Sequence, residues 1–479
     1  MKSVDTPQSR CRAAIARCDI TPPVGIYHRM WGAAQHDRAT GVHKPLLATI
    51  LWLKPEAGDT ARSFILANLD HCLFDDADIA LMKSSIASAA GVSANQVLIA
   101  VTHTHAAGLM SRSRAALPGG ELIAPYLDNL VHQLAQLAKT AAADSQPATI
   151  VYAAGRCNLA ANRDFFDVER QQFVCGFNPS GPADDALLVA KITTDSGQTI
   201  ATLVNYACHP TTLAWQNMLI SPDYIGALRE TIEQHIAAPC MFLQGASADL
   251  GPREGFVGDP LIADRNGRQL AFSALSAINA LSPPNTRYVY AGPVVSGATI
   301  GTWQHQPLSD TDRNRQAAWN VRHWNTDLQY RIDLPTVAAA EADLATWQAR
   351  QQQAIAAGHS QQACDYHARI EQAQRQLWRL QSLPQPHFPL PVTVARLGDA
   401  IWLFIAGEHY QNLQTELRTR FPDRPIIVST ITNGWQPGYI PPAQVYGRGI
   451  YQEQIAVVAP GTAEQLLSNI TDQVQSLLT

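Results

Sequence analysis

The sequence predicts an α/β protein of layered mixed sheets with flanking helices, and three observations carry that expectation. Short apolar runs alternate with amphipathic stretches through the first two-thirds of the chain. Several of those runs stop abruptly at a histidine or an acid, and residues 335–383 switch to a purely helical pattern. Strand–helix–strand order implies crossover connections, and layers built this way gather ligands at the carboxyl ends of their strands.

Taken in order, "RSFILANLD" (62–70) and "QVLIAV" (96–101) read as strands around the helix "ADIALMKSSIASAAG", which Gly91 closes. The pattern recurs in "TIATLVNYACHP" (199–210) and "APCMFLQGASADLGP" (238–252), with the helix "PDYIGALRETIEQHI" between them, begun after Pro222 and Asp223. Next come "PTVAAAEADLATWQARQQQAIAAG", from Pro335 to Gly358, and a stretch with Ala363, Tyr366, Ile370, Ala373, Leu377 and Leu380 at steps of three and four. This spacing predicts a helical hairpin over 335–383 with one apolar seam, serving as a lid, a dimer contact or a packed layer. The proline-rich "PQPHFPLP" (384–391) reads as a breaker. Two more strands follow, "DAIWLFIAGEHY" and "PIIVSTITNGWQPGY", around the helix "YQNLQTELRTRF". No repeat or Gly/Ser linker divides the chain, so a single unit over 1–479 is expected.

Of the 479 residues, 46% are hydrophobic and 16% charged, as in a globular enzyme without long disorder. The net charge of −5, with no Lys/Arg run, argues against a nucleic-acid partner. The N-terminus lacks the apolar core of a secretion signal, and no stretch reaches the roughly 18 uninterrupted apolar residues of a membrane span, so a cytoplasmic protein is expected. Eight scattered cysteines without a CxxC pair read as reduced, buried thiols. Cys208, beside His209, reads as a small buried side chain rather than a nucleophile.

Four strand ends could carry chemistry. The run 97–101 exits into His103 and His105, which share a face where the chain stays extended. Alone, such a pair fits a metal site or ordinary polar loop residues. "VNYACHP" ends in His209, "LFIAGEHY" brings Glu408 and His409, and "ITNGWQPGY" brings Tyr439. Two imidazoles and a carboxylate form the donor set of an open zinc site. Tyr439 could add a phenolate, since Zn²⁺ lowers the pKa of the acids it binds. Two histidines favour zinc over magnesium, with manganese, iron and magnesium as alternatives. His132, His235, His323, His359, His367 and His387 lie in helices or loops with no partner pattern.

Read together and in order, "VLIAVTHTHAAG", "NYACHPTTL", "FLQGASADLGP", "AGEHY" and "GYIPPAQVY" resemble the catalytic domain of the neutral/alkaline ceramidases and their bacterial relatives, roughly from Ala14 to Gly461. The resemblance implies a metal held by His103, His209, Glu408 and Tyr439, with His105 either supporting the ligands from behind or facing the substrate. It also makes Arg163, in "NRD" (162–164), an anchor for a substrate oxygen or developing charge, although an internal salt bridge suits that arginine equally. Two departures stand out. Ala106-Ala107-Gly108 replaces the family's Ser-Gly-Pro-rich continuation, and Gly251 occupies the position of its serine before a proline. The family's additional C-terminal β-sandwich is not expected in this chain.

The implied function is a zinc-dependent hydrolase that opens a non-peptide C–N amide bond through a metal-bound hydroxide. His105 would transfer protons, and Arg163 or Tyr439 would stabilise the oxyanion. Its substrate would be a small molecule or lipid-like compound other than ceramide. An esterase or lactonase on the same site, and a non-catalytic metal or ligand binder, are the alternatives.

Overall fold

Two mixed sheets share one apolar interior in the computed structural model, which describes residues 2–58 and 60–478. The larger is built from β1 (Gln8–Asp19), β2 (Leu47–Lys54), β3 (Phe64–Leu69), β4 (Val97–Val101), β5 (Gln146–Arg156), β6 (Ala186–Thr194), β7 (Thr199–Tyr206) and β8 (Cys240–Gln244). Its spatial order is β8-β7-β6-β5-β1-β2-β3-β4. The smaller runs in sequence through β9 (Trp319–Leu328), β10 (Phe388–Leu397), β11 (Ala400–Ile405) and β12 (Ile426–Ser429).

Alternation along the strands sorts their side chains into layers. Ile50 and Trp52 face the helices α1 (Asp76–Ala90) and α2 (Ile123–Ala143), whereas Leu51 and Leu53 face the interior. On β11, Trp402 and Phe404 meet the larger sheet, and Ile401, Leu403 and Ile405 turn to an outer layer of later helices. At the β7 end of the large sheet the cover is α3 (Tyr224–Ile236) and α4 (Pro260–Asn279). Helices therefore lie outside both sheets, and the two sheets meet between them.

Pairing is parallel at only three places in these sheets: β3 with β4, β7 with β8, and β11 with β12. Each pair is joined by a helix, namely α1, α3 and, after α5 (Val337–Ala356) and α6 (Ser360–Gln381), α7 (Asn412–Arg420). The centre of the large sheet is antiparallel. Crossovers thus describe the sheet edges, not the whole sheet.

The stretch 384–391 is not purely a breaker. Its last residues open β10, with Pro389 and Pro391 paired to Asp327 and Asn325 of β9. Pairing with β11 begins only at Val392, so both prolines lie where the strand has a single neighbour and no second ladder needs their missing N–H.

Beneath the β4 exit lies His71, fully buried, with Nε2 2.5 Å from Tyr126 Oη and a backbone oxygen that accepts from His103 N at 2.8 Å. Burial pushes its pKa down to about 4. The unfolded chain, with an ordinary histidine near 6.5, binds a proton that the folded state refuses, so stability is lost as pH falls from about 6.5 toward 4. Between pH 7 and pH 5 this histidine should cost about 2 kcal/mol. Urea unfolding of the wild type and His71→Phe at both pH values checks the sign: the wild type should lose that much more than the variant, and equal losses would contradict it.

Candidate metal centre

All three parallel pairs direct a carboxyl end to one place. His103 follows β4 by two residues, while His209 follows β7 and Glu408 follows β11 by three. Side-chain amides tie the sheets together here. Asn205 on β7 donates to Leu243 O (3.0 Å) and Val428 O (2.7 Å) and accepts from Val428 N (3.1 Å). Asn433, in the loop after β12, accepts from Ile99 N at 2.9 Å and donates its own N–H to Ile99 O at 2.7 Å. These bonds hold the Glu408 sheet in register with the two histidine strands.

The three side chains converge. His103 Nε2 and His209 Nε2 are 3.0 Å apart, and Glu408 Oε2 lies 3.5 and 3.3 Å from them. The far nitrogen of each ring faces a carbonyl: His103 Nδ1 is 2.8 Å from Cys72 O, and His209 Nδ1 is 3.0 Å from Ser247 O. A carbonyl only accepts, so both Nδ1 atoms carry the proton and both Nε2 lone pairs face inward. Two lone pairs at that separation repel, and Glu408 Oε2 is sealed from solvent without a hydrogen-bond partner. A cation resolves both problems, and the donor set suits zinc or a similar divalent metal. Cys72, His103 and His105 form a second triple, but its geometry uses His103 Nδ1, already committed to a carbonyl.

Burial would lower His103, yet Cys72 and Glu408 hold it well above its ordinary value, so positive charge is favoured between the rings and the carboxylate. Burial, reinforced by Arg163, pushes His209 down to about 3, and burial with the neighbouring rings holds His105 well below its ordinary value. Burial alone would raise Glu408, yet the two histidines outweigh it and hold its carboxyl well below the usual range.

His105 Nε2 is 3.4 Å from His103 Nε2, but not through an extended chain. His103 takes a positive φ of 67° and His105 opens a single 3-10 turn. The Trp31 ring lies over His105 with centroids 5.3 Å apart, and Phe256 and Trp215 pack edge-on against Trp31. The loop bearing Trp31 is clasped by α6: Arg375 donates to Met30 O at 2.8 Å, and a Cβ at Gly32 would come within 3.0 Å of Ala368.

Arg163 follows the strand Ala160–Asn162 and is 3% exposed. It donates from Nε to Ala248 O (2.9 Å) and from Nη2 to Tyr439 Oη (3.0 Å), and among the described residues it has no carboxylate at ion-pair distance. The salt-bridge reading of Arg163 is therefore not what the structure contains. Tyr439 does not end the preceding strand, since β12 stops at Ser429. It lies in the two-residue strand Tyr439–Ile440, paired in parallel with Glu408–His409, so Tyr439 is directly beside Glu408.

Comparison with solved structures bears on the arrangement as a whole. A neutral ceramidase from Pseudomonas aeruginosa superposes with a TM-score of 0.63 at 15% identity, covering 98% of this chain and 74% of that one. The fold is neutral-ceramidase-like. A ceramidase complexed with C2 gives a TM-score of 0.62 at 16% identity, over 98% of this chain and 76% of that one. No family model and no curated protein matches the chain.

Gly251 lies in the strand Leu250–Pro252, where an added Cβ would meet only Thr211 Oγ1 at 3.7 Å and Arg163 Cδ at 4.0 Å. A hydroxyl at 251 is thus absent without being sterically forbidden. Ser247 accepts from Gln244 Nε2 at 2.6 Å and stands behind His209, on its Nδ1 side. Cys208 is buried with its thiol pushed well up by burial, as an inert side chain should be. All eight cysteines are free, and no helix among the described residues is long and apolar enough to cross a membrane.

Reading the sequence missed Trp31, Thr211 and Arg379. Thr211 stands two residues after His209, and its buried Oγ1 has no partner. Trp31 is far from the metal-ligand words in sequence, and only packing brings it against His105.

Proposed function

We propose that the chain is a divalent-metal-dependent hydrolase, with zinc the best fit, that cleaves a non-peptide amide bond of a substrate other than ceramide. The observation that carries this is the pair of facing Nε2 atoms with the orphaned Glu408 oxygen beside them. His103, His209 and Glu408 would hold the metal and Tyr439 would be the fourth donor. A bound divalent cation supplies Lewis acidity, polarising a carbonyl oxygen and lowering the pKa of water to about 7.

The protein's own groups do the rest. Arg163, fixed by Ala248 O and adjoining Tyr439, faces the charge that develops on the carbonyl oxygen. His105, kept neutral by burial, accepts a proton at Nε2 from the attacking water and returns it to the leaving nitrogen. Trp31 and Phe256 exclude bulk water from that side.

The fold shared with proteins named as ceramidases favours an amide, and the same residues suit an ester or lactone. Ceramide itself fits less well. Gly251 leaves no hydroxyl beside Arg163, and α6 clasps the Trp31 loop where a long two-chain lipid would need an open approach. The two sheets and the helical pair within 335–383 would act as one catalytic unit.

Metal analysis of the purified protein and of His103→Ala, followed by a panel of N-acyl amides and matched esters, tests the reading. One divalent ion per chain, lost in the variant, with amides turned over faster than esters, is the expected result. No bound metal overturns the hydrolytic scheme. Metal with neither amide nor ester turnover favours a non-catalytic binder.

A further inference from the structure

Arg379, on the inner side of α6, is 8% exposed, and among the described residues its guanidinium has no hydrogen bond and no ion pair. Other buried arginines differ. Arg229 faces Asp70, and Arg163 is held by Tyr439 and a backbone carbonyl. A guanidinium largely withdrawn from water without a counter-charge is unfavourable, so the cavity beside Arg379 suits an anion.

The carboxylates near this cavity among the described residues are already engaged. Glu453, on the same cavity, accepts from Gly447 N (2.6 Å), Arg448 N (3.0 Å) and Gly449 N (2.8 Å). Asp333 pairs with Arg331 at 2.6 Å, and Glu371 lies between Arg375 at 3.5 Å and Arg114 at 3.8 Å. Ile455, which lines the same cavity as Arg379, packs against the apolar cluster that contains Tyr439, and Glu408 is engaged with His103 and His209. Arg379 borders a cavity of about 190 Å³, and Arg375, one turn earlier on α6, has an Nε without a partner.

We propose that the substrate carries a carboxylate that seats on Arg379, with Arg375 adding positive potential, while its amide lies at the metal centre. The inference rests on the amide reading above and narrows it to N-acyl amino acids and related acyl amides with a free carboxylate. A planar guanidinium pairs with a carboxylate through two parallel N–H···O bonds, which no neutral amide reproduces.

The test measures binding of two probes that lack the scissile C–N bond: 4-oxoundecanoate, the ketomethylene analogue of N-octanoylglycine, and its neutral primary amide. Calorimetry on the purified protein should favour the carboxylate by about tenfold or more, the scale of a charged hydrogen bond. Arg379→Met should bring the two affinities together while leaving that of the neutral probe unchanged. Arg379→Lys, which keeps the charge without the fork, should retain part of the preference and guards against a variant that fails to fold. Equal affinities in the wild type, failure of both probes to bind, or a preference that survives Arg379→Met overturns the inference. Because neither probe is consumed, the two failures are distinguishable: carboxylate preference without any turnover keeps the Arg379 carboxylate site but overturns the amide reading on which its assignment to a substrate rests, whereas amide turnover without carboxylate preference overturns the inference and leaves that reading intact.

Discussion

Glu408→Ala is expected to weaken Zn²⁺ binding by roughly a hundredfold or more and to bring hydrolysis to background at limiting metal. A structural zinc site is worth about 10–16 kcal/mol over four donors, so one donor carries on the order of 3 kcal/mol. Glu408 also supplies the negative charge that two neutral imidazoles cannot. The loss should come without unfolding. Glu408 lies on a short loop strand outside the two main sheets, so its removal should leave the metal-free protein folded. Metal titration with a chromophoric chelator, beside melting curves of the metal-free proteins, reads both effects. Unaltered affinity would take Glu408 out of the donor set, and a collapsed midpoint would mean that it holds the fold.

Arg163→Met should lower kcat for amide hydrolysis by about 10² to 10³, the range found when one preorganised donor is removed from a developing oxyanion, with metal content intact. The magnitude follows from burial: Arg163 is 3% exposed and fixed at two atoms, so its charge acts with little screening and no reorganisation. Arg163→Lys should not rescue, because an ammonium cannot hold Ala248 O and face Tyr439 together. Tyr439→Phe separates two roles. As a fourth donor Tyr439 should lower metal affinity when removed, whereas a fall in kcat at full metal occupancy would make it an oxyanion donor instead. An Arg163→Met enzyme with normal kcat would remove the arginine from the chemistry.

How far the sequence carries depends on how local the signal is. His103, His209 and Glu408 were legible because each closely follows a short apolar strand of a parallel pair, and the carboxyl end of such a pair is where ligands collect. The 3.0 Å meeting of His103 and His209 was not, because β4 and β7 lie near opposite ends of the large sheet in its strand order, and the approach of Glu408 depends in turn on Asn205 and Asn433 joining the second sheet. Tyr439 emerged by its motif, yet the expected long strand ends at Ser429 and the tyrosine arrives on a separate two-residue pairing with Glu408. The antiparallel centre of the large sheet was hidden, since β1, β5 and β6 owe their place to pairing across distant chain segments rather than to a crossover helix. Arg379 illustrates the same limit. On a polar helix it reads as one more solvated charge, and only packing reveals that it is buried and unpaired.

The most direct measurement is an anomalous difference map from crystals grown with Zn²⁺ and recorded on both sides of the zinc edge. A single strong peak bounded by His103 Nε2, His209 Nε2 and Glu408 Oε2 is the predicted result. A map with no peak among these three atoms, or with zinc bound only elsewhere on the protein, would contradict the assignment of a metal centre.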